Sequence, residues 1–157
     1  MLYGVISAVF LLSYVGVASS LFGADTGLAF SAFNAKVEID IEDGEIEILS
    51  SFTLGAGSAG IDPATEFVAL QVTGGTATYS TTIPAGSFRA VTGRGYRFQG
   101  IVSGVKMLAA IRPLRGETFE FELETERAKL VGMSNPVTVS LAIGDDSGSR
   151  SVRAKIE

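Results

Sequence analysis

Around Asp43-Gly44 the chain reads KVEIDIE-DG-EIEI, apolar and acidic residues alternating without a break on both sides of a turn dipeptide. A helix would scatter that pattern around its axis. Only an extended strand puts Val37, Ile39 and Ile41 on one face and Glu38, Asp40 and Glu42 on the other. Asp-Gly between two alternating runs is a strong short-range hairpin signal. A two-residue loop there pairs Ile41 with Ile46 and Ile39 with Ile48, and sets Glu42 opposite Glu45 and Asp40 opposite Glu47.

The same period of two recurs downstream. The Gly-rich stretch 55–63 (GAGSAGIDP) ends the first hairpin, with Asp62-Pro63, Thr65 and Glu66 reading as a turn that enters the next strand. Strands are expected over 66–72, 76–83, 86–91, 95–102 and 105–111. The last two flank Ser103-Gly104, a second two-residue loop that sets Tyr96, Phe98 and Val102 against Ile111, Ala109 and Val105. Phe119, Phe121 and Leu123 alternate with Glu120, Glu122 and Glu124. A final hairpin carries Val137, Val139, Leu141 and Ile143, the loop 144–148 (GDDSG), then Val152, Ala154 and Ile156. Only 126–133 (ERAKLVGM) has a helical look, and it is short. About eight to ten strands at this spacing predict an all-β fold, an antiparallel β-sandwich, with a barrel as the alternative. At 157 residues the chain suits one domain, here 36–157, with 25–35 a linker or first strand.

Residues 1–24 carry no charged side chain and include an apolar run from Leu2 to Val17 that passes into Ala18-Ser19-Ser20. That outline matches a secretory signal peptide, though no Lys or Arg precedes it. It is also long enough to serve as a membrane-anchor helix, with a buried helix of a soluble protein as a third reading. Signal and anchor both imply export, to a secreted, periplasmic or cell-surface location, with membrane contact only if the segment is retained.

The stretches FTLGAGSAGIDPATEFVALQV, YSTTIPAGSF, FQGIVSGV and NPVTVSLAIGDDSGS resemble an uncharacterised β-domain recurrent in secreted bacterial proteins, over roughly residues 52–150. The resemblance implies an exported bacterial module. It brings no activity and no site residues with it.

The chain has no Cys, His or Trp. Disulfides, thiolate nucleophiles, Cys/His zinc sites and Ser-His-Asp catalysis are therefore excluded. Acidic pI argues against a nucleic-acid partner, and Tyr96 and Phe98, interleaved with Arg94 and Arg97, point inward at period two. No enzymatic activity and no cofactor is expected. Charge is segregated: residues 36–66 hold eight acids and only Lys36, 67–116 hold six bases and no acid, and 117–126 hold five glutamates. Either neighbouring strands neutralise one another within the molecule, or oppositely charged surfaces meet between molecules. The candidate interaction surface comprises Glu38, Asp40, Glu42, Glu45, Glu47, Arg94, Arg97, Glu120, Glu122 and Glu124, for self-association or for another exported protein. The opposed carboxylates of the first hairpin repel, so Asp40, Glu42, Glu45 and Glu47 are also candidate calcium ligands. Asp145 and Asp146 are candidates too, although turn chemistry explains both at a hairpin tip. The expected function is an exported, non-catalytic structural or interaction module, with a calcium- or glycan-binding module as the alternative.

Overall fold

The computed structural model describes residues 27–157, and in it the alternating segments are strands of two packed sheets, with no helix among the described residues. In chain order they are β1 (Leu28–Ala29), β2 (Ala32–Asp40), β3 (Glu45–Thr53), β4 (Val68–Gly74), β5 (Ala77–Ile83), β6 (Arg89–Val91), β7 (Gly95–Val102), β8 (Val105–Pro113), β9 (Thr118–Glu126), β10 (Val137–Ile143), β11 (Asp146–Val152) and β12 (Lys155–Ile156). The small sheet runs β1-β11-β10-β4-β5 and the large sheet β12-β2-β3-β9-β8-β7-β6. The expected 1–24 segment lies outside the described residues. Of the segment 126–133, Glu126 ends β9 and 127–133 is a loop that plugs Leu130 and Met133 into the core.

One face of every long strand supplies that core. Ile46, Ile48 and Phe52 of β3 meet Phe121 and Leu123 of β9 and Ile111 of β8, while the small sheet contributes Leu70, Val72, Val139 and Leu141. Burying an aliphatic or aromatic side chain of this size contributes about 1.5–3 kcal/mol. Phe30, Phe52 and Phe119 stack in succession, with ring centroids 4.6 and 5.5 Å apart.

Both sheets are mixed rather than wholly antiparallel. β1 pairs parallel with β11, and β12 pairs parallel with β2. The reason lies in two chain segments that cross between sheets: residues 28–40 leave the small sheet after β1 and enter the large one as β2, and residues 146–156 do the same from β11 to β12. Asn135 secures the second crossing, its side-chain amide donating to Ala154 O at 2.8 Å and its Oδ1 accepting from Ala154 N at 2.7 Å.

The second hairpin has the expected register, Tyr96 against Ile111, Phe98 against Ala109 and Val102 against Val105. Ser103 and Gly104 both have positive φ, 50° and 81°, as a tight primed turn requires. The first hairpin differs. Its last ladder pair is Asp40 with Glu45, so Ile41–Gly44 form a four-residue turn and Ile39 faces Ile46. Asp40 Oδ1 accepts from the backbone N–H of Glu42 and of Asp43, at 2.9 and 3.1 Å, winding the chain before Asp43 is reached. The Ile41 N–H meanwhile goes to Glu157 O. The expected pairs Glu42–Glu45, Asp40–Glu47, Ile41–Ile46 and Ile39–Ile48 are thus corrected by two residues, a slip that preserves which side chains face inward. The last loop is also shorter than expected: Gly144 and Asp145 alone make the turn, and Asp146 begins β11.

Three of the four sheet edges are short, two or three residues in β1, β12 and β6. β5 is the exception, a seven-residue open edge of sequence ATYSTTI with no charge and no proline.

Candidate functional site

Strand parity collects most of the charge on the outer face of the large sheet. Register aligns it in rows across the strands. One row runs Lys155, Glu38, Glu47, Glu124, Leu108, Gln99. The next runs Lys36, Leu49, Glu122, Ala110, Arg97, Arg89. The face is therefore acidic over β2, β3 and β9 and basic over β8, β7 and β6.

Neutralisation inside the molecule is real but incomplete. Arg112 on β8 bridges two glutamates of β9, its Nη1 on Glu120 Oε1 at 2.8 Å and its Nη2 on Glu122 Oε2 at 2.6 Å. Donating these hydrogen bonds, first to Glu122 and then to Glu120, holds the guanidinium above its ordinary pKa. Lys106 pairs with Glu126 at 2.6 Å. At the far edge Lys36 holds Glu38 at 2.8 Å and keeps its carboxyl below the ordinary glutamate pKa, while Lys155 sits 3.9 Å from the same carboxylate. Among the described residues Glu45, Glu47 and Glu124 have no ion-pair partner, and neither have Arg89, Arg94 and Arg97. Glu47 faces a carboxylate on each side, Glu38 and Glu124, and Arg97 faces Arg89. Directly opposed like charges destabilise a strand pair by up to about 1 kcal/mol.

Two open depressions lie on this face, the first at the boundary between the halves and the second within the basic half. One, of about 270 Å³, is lined by Glu45, Glu47 and Glu124 on one side and by Lys106, Arg97 and Gln99 on the other. A second, of about 340 Å³, brings Arg94, Arg97 and Arg112 around Pro113 and Leu114. Apolar side chains are exposed among these charges, Leu49 to 45%, Ile101 to 72% and Leu114 to 56%.

Of the residues expected to form a surface, Glu38, Asp40, Glu45, Glu47, Arg97, Glu120, Glu122 and Glu124 share this face. Arg94 joins it from the β6–β7 turn, and Glu42 sits in the first hairpin turn. The expected strand neighbours Tyr96 and Phe98 pack against the core. Leu49, Ile101, Arg89 and Arg112 belong to the same face and were not singled out from the sequence. Parity alone could have placed the first two, since Leu49 is in phase with Glu45 and Glu47, and Ile101 with Arg97 and Gln99.

Asp145 and Asp146 lie elsewhere, at one end of the small sheet. Asp146 is not a loop residue: it pairs with Ile143 at an inward position and is 1% exposed. Its Oδ2 accepts from the Ser58 hydroxyl at 2.9 Å, and its Oδ1 is buried with no hydrogen-bond partner. Burial raises its pKa; Ser58 opposes the rise and the charge of Asp145 adds to it. Among the described residues no group of three or more carboxylates is placed to hold a metal ion.

Comparison with protein-family models, curated proteins and solved structures finds no match.

Proposed function

We propose that this chain is an exported, non-catalytic interaction module of the cell surface or extracellular space, acting through the outer face of its large sheet. The observation that carries the reading is the make-up of that face. Charges of both signs, several left without partners, and exposed Leu49, Ile101 and Leu114 lie together on one broad, open surface. Interfaces combine such apolar anchors with a polar surround, whereas small-molecule sites enclose their ligand in a concave pocket. The uncharged run from Met1 to Ala24 supports export, and so does the resemblance to secreted bacterial β-domains.

Fractionation and mass spectrometry of the protein made by its native host test this. The expected product lies outside the cytoplasm, either starting near Ser20 or Leu21 or intact in the membrane fraction. Its native complexes, sized by light scattering, lose mass when Glu47 is replaced by Arg. A full-length soluble cytoplasmic product, or complexes indifferent to Glu47→Arg, overturns the reading.

A further inference from the structure

We propose that β5 is a docking edge, which takes one extended, uncharged segment of another protein as a sixth strand of the small sheet. It is a surface separate from the charged outer face. The first observation is which backbone groups β5 leaves open. Gly144 N donates to Phe67 O just beyond the β4–β10 ladder. By antiparallel alternation Ala69, Gln71 and Thr73 then bond to β10, while Val68, Leu70, Val72 and Gly74 bond to Ile83, Thr81, Tyr79 and Ala77 of β5. The N–H and C=O groups of Thr78, Ser80 and Thr82 therefore point away from β4, and among the described residues they have no backbone partner. Exposed edges of this length are ordinarily blunted by charge, proline or a covering element. β5 has neither charge nor proline.

The second observation is the room beside it. The large sheet has seven strands against five, and its inner face emerges from cover strand by strand. On β8, Met107, Ala109 and Ile111 are buried. On β7, Tyr96, Phe98 and Val102 are half-buried, and on β6 Ala90 is exposed although it pairs with Tyr96 on the inner face. β5 lies against β7, so β6 projects beyond it as a shelf. A strand added to β5 rests on that shelf. Its residues opposite Tyr79 and Thr81 point inward, beside two buried hydroxyls, Tyr79 OH and Thr81 Oγ1, that lack a hydrogen-bond partner. The shelf residues Ala90, Tyr96, Phe98 and Val102 carry no charge, so the segment that fits is uncharged and apolar at every second position. Main-chain bonds supply its affinity and the shelf selects its side chains. The same shelf decides against a second copy of β5. Antiparallel pairing of two β5 edges about a two-fold normal to the small sheet would drive β6 and β7 of each copy into those of the other. The occupant is a flexible segment, not a folded edge.

The test is amide hydrogen exchange of the exported chain, read residue by residue by NMR, without and with the synthetic peptide Val-Thr-Val-Ser-Leu-Ala-Ile. This is the sequence of β10 (Val137–Ile143), uncharged and apolar at every second position. In the free protein the N–H groups of Thr78, Ser80 and Thr82 should exchange fast while those of Tyr79 and Thr81 are protected. Millimolar peptide should protect all three. A peptide N-methylated at its threonine, serine and alanine, the residues that turn their N–H groups to β5, should protect none. Ser80→Pro removes an N–H that no neighbouring strand accepts, so wild-type circular dichroism is expected. Its peptide binding, by fluorescence anisotropy, should be weaker by at least about tenfold. Protection of the three amides in the free protein at every concentration overturns the proposal, since the edge is then closed. Protection that grows with protein concentration in the absence of peptide overturns the choice of occupant in favour of a second copy. No protection by millimolar peptide, or undiminished binding by the N-methylated peptide and by Ser80→Pro, overturns the docking edge itself.

Discussion

The Ser58 hydroxyl holds one oxygen of the Asp146 carboxylate at 2.9 Å, and the other oxygen is buried without a partner. This single bond ties the 55–63 loop to the start of β11. Because burial raises the pKa of Asp146, the native state holds its proton more tightly than the unfolded chain does. Stability from this group is then fully present below the ordinary value of 3.8 and is lost as pH rises through the higher native value. Thermal melts of wild type and Asp146→Asn should therefore diverge with pH, wild type losing ground above pH 3.8 while the variant lacks that step. Parallel pH profiles of the two proteins would refute it.

Phe121 and Glu122 are adjacent in β9 and point to opposite faces, Phe121 1% exposed and Glu122 paired with Arg112 at the surface. Phe121→Ala should cost about 3–5 kcal/mol in denaturant unfolding. Glu122→Ala, which breaks one partly exposed ion pair, should cost about 0.2–1 kcal/mol. Equal costs would mean that the faces are misassigned.

Asn135 satisfies both the N–H and the C=O of Ala154, a residue 6% exposed at the crossing from β11 to β12. Asn135→Ala leaves both groups unpaired and should cost about 1–3 kcal/mol. Asn135→Asp keeps the acceptor and loses the donor, so its unfolding free energy should fall between the two.

Gly44 has φ +69°, and a Cβ there would run into the backbone of Ala128. Gly44→Ala should destabilise by at least about 1 kcal/mol. The open Gly104, also at positive φ but with nothing within 4 Å of a Cβ, should tolerate the same change better.

Faces were far more legible than neighbours in the sequence. Alternation at Val37–Ile41 and Phe119–Leu123 placed those residues inside, and Ser103-Gly104 yielded its whole register because both positions accept positive φ. Asp43-Gly44 did not, since the Asp40 side chain and the distant Glu157 carbonyl compete for the backbone N–H groups around the turn. A slip of two leaves every face intact yet exchanges each partner across the hairpin, so Glu47 faces Glu38 instead of Asp40. Asp146 read as a loop residue from its Gly, Asp and Ser neighbours, whereas its burial depends on Ser58, 88 positions away. The charge segregation was visible along the chain. That β9 and β8 put its two signs side by side on one face follows only from the strand order.

The two parallel terminal pairs bear on how the molecule answers to force. A pull on Leu28 toward the N-terminus and on Ile156 toward the C-terminus draws β1 along β11 and β12 along β2 in sliding directions. Bonds strained in that geometry must give way together. In an antiparallel hairpin pulled at its open end they break in succession. The molecule should therefore yield at a higher force when drawn from Leu28 and Ile156 than when gripped at Val68 and Ile83, the open end of the β4–β5 hairpin, where the strands can peel.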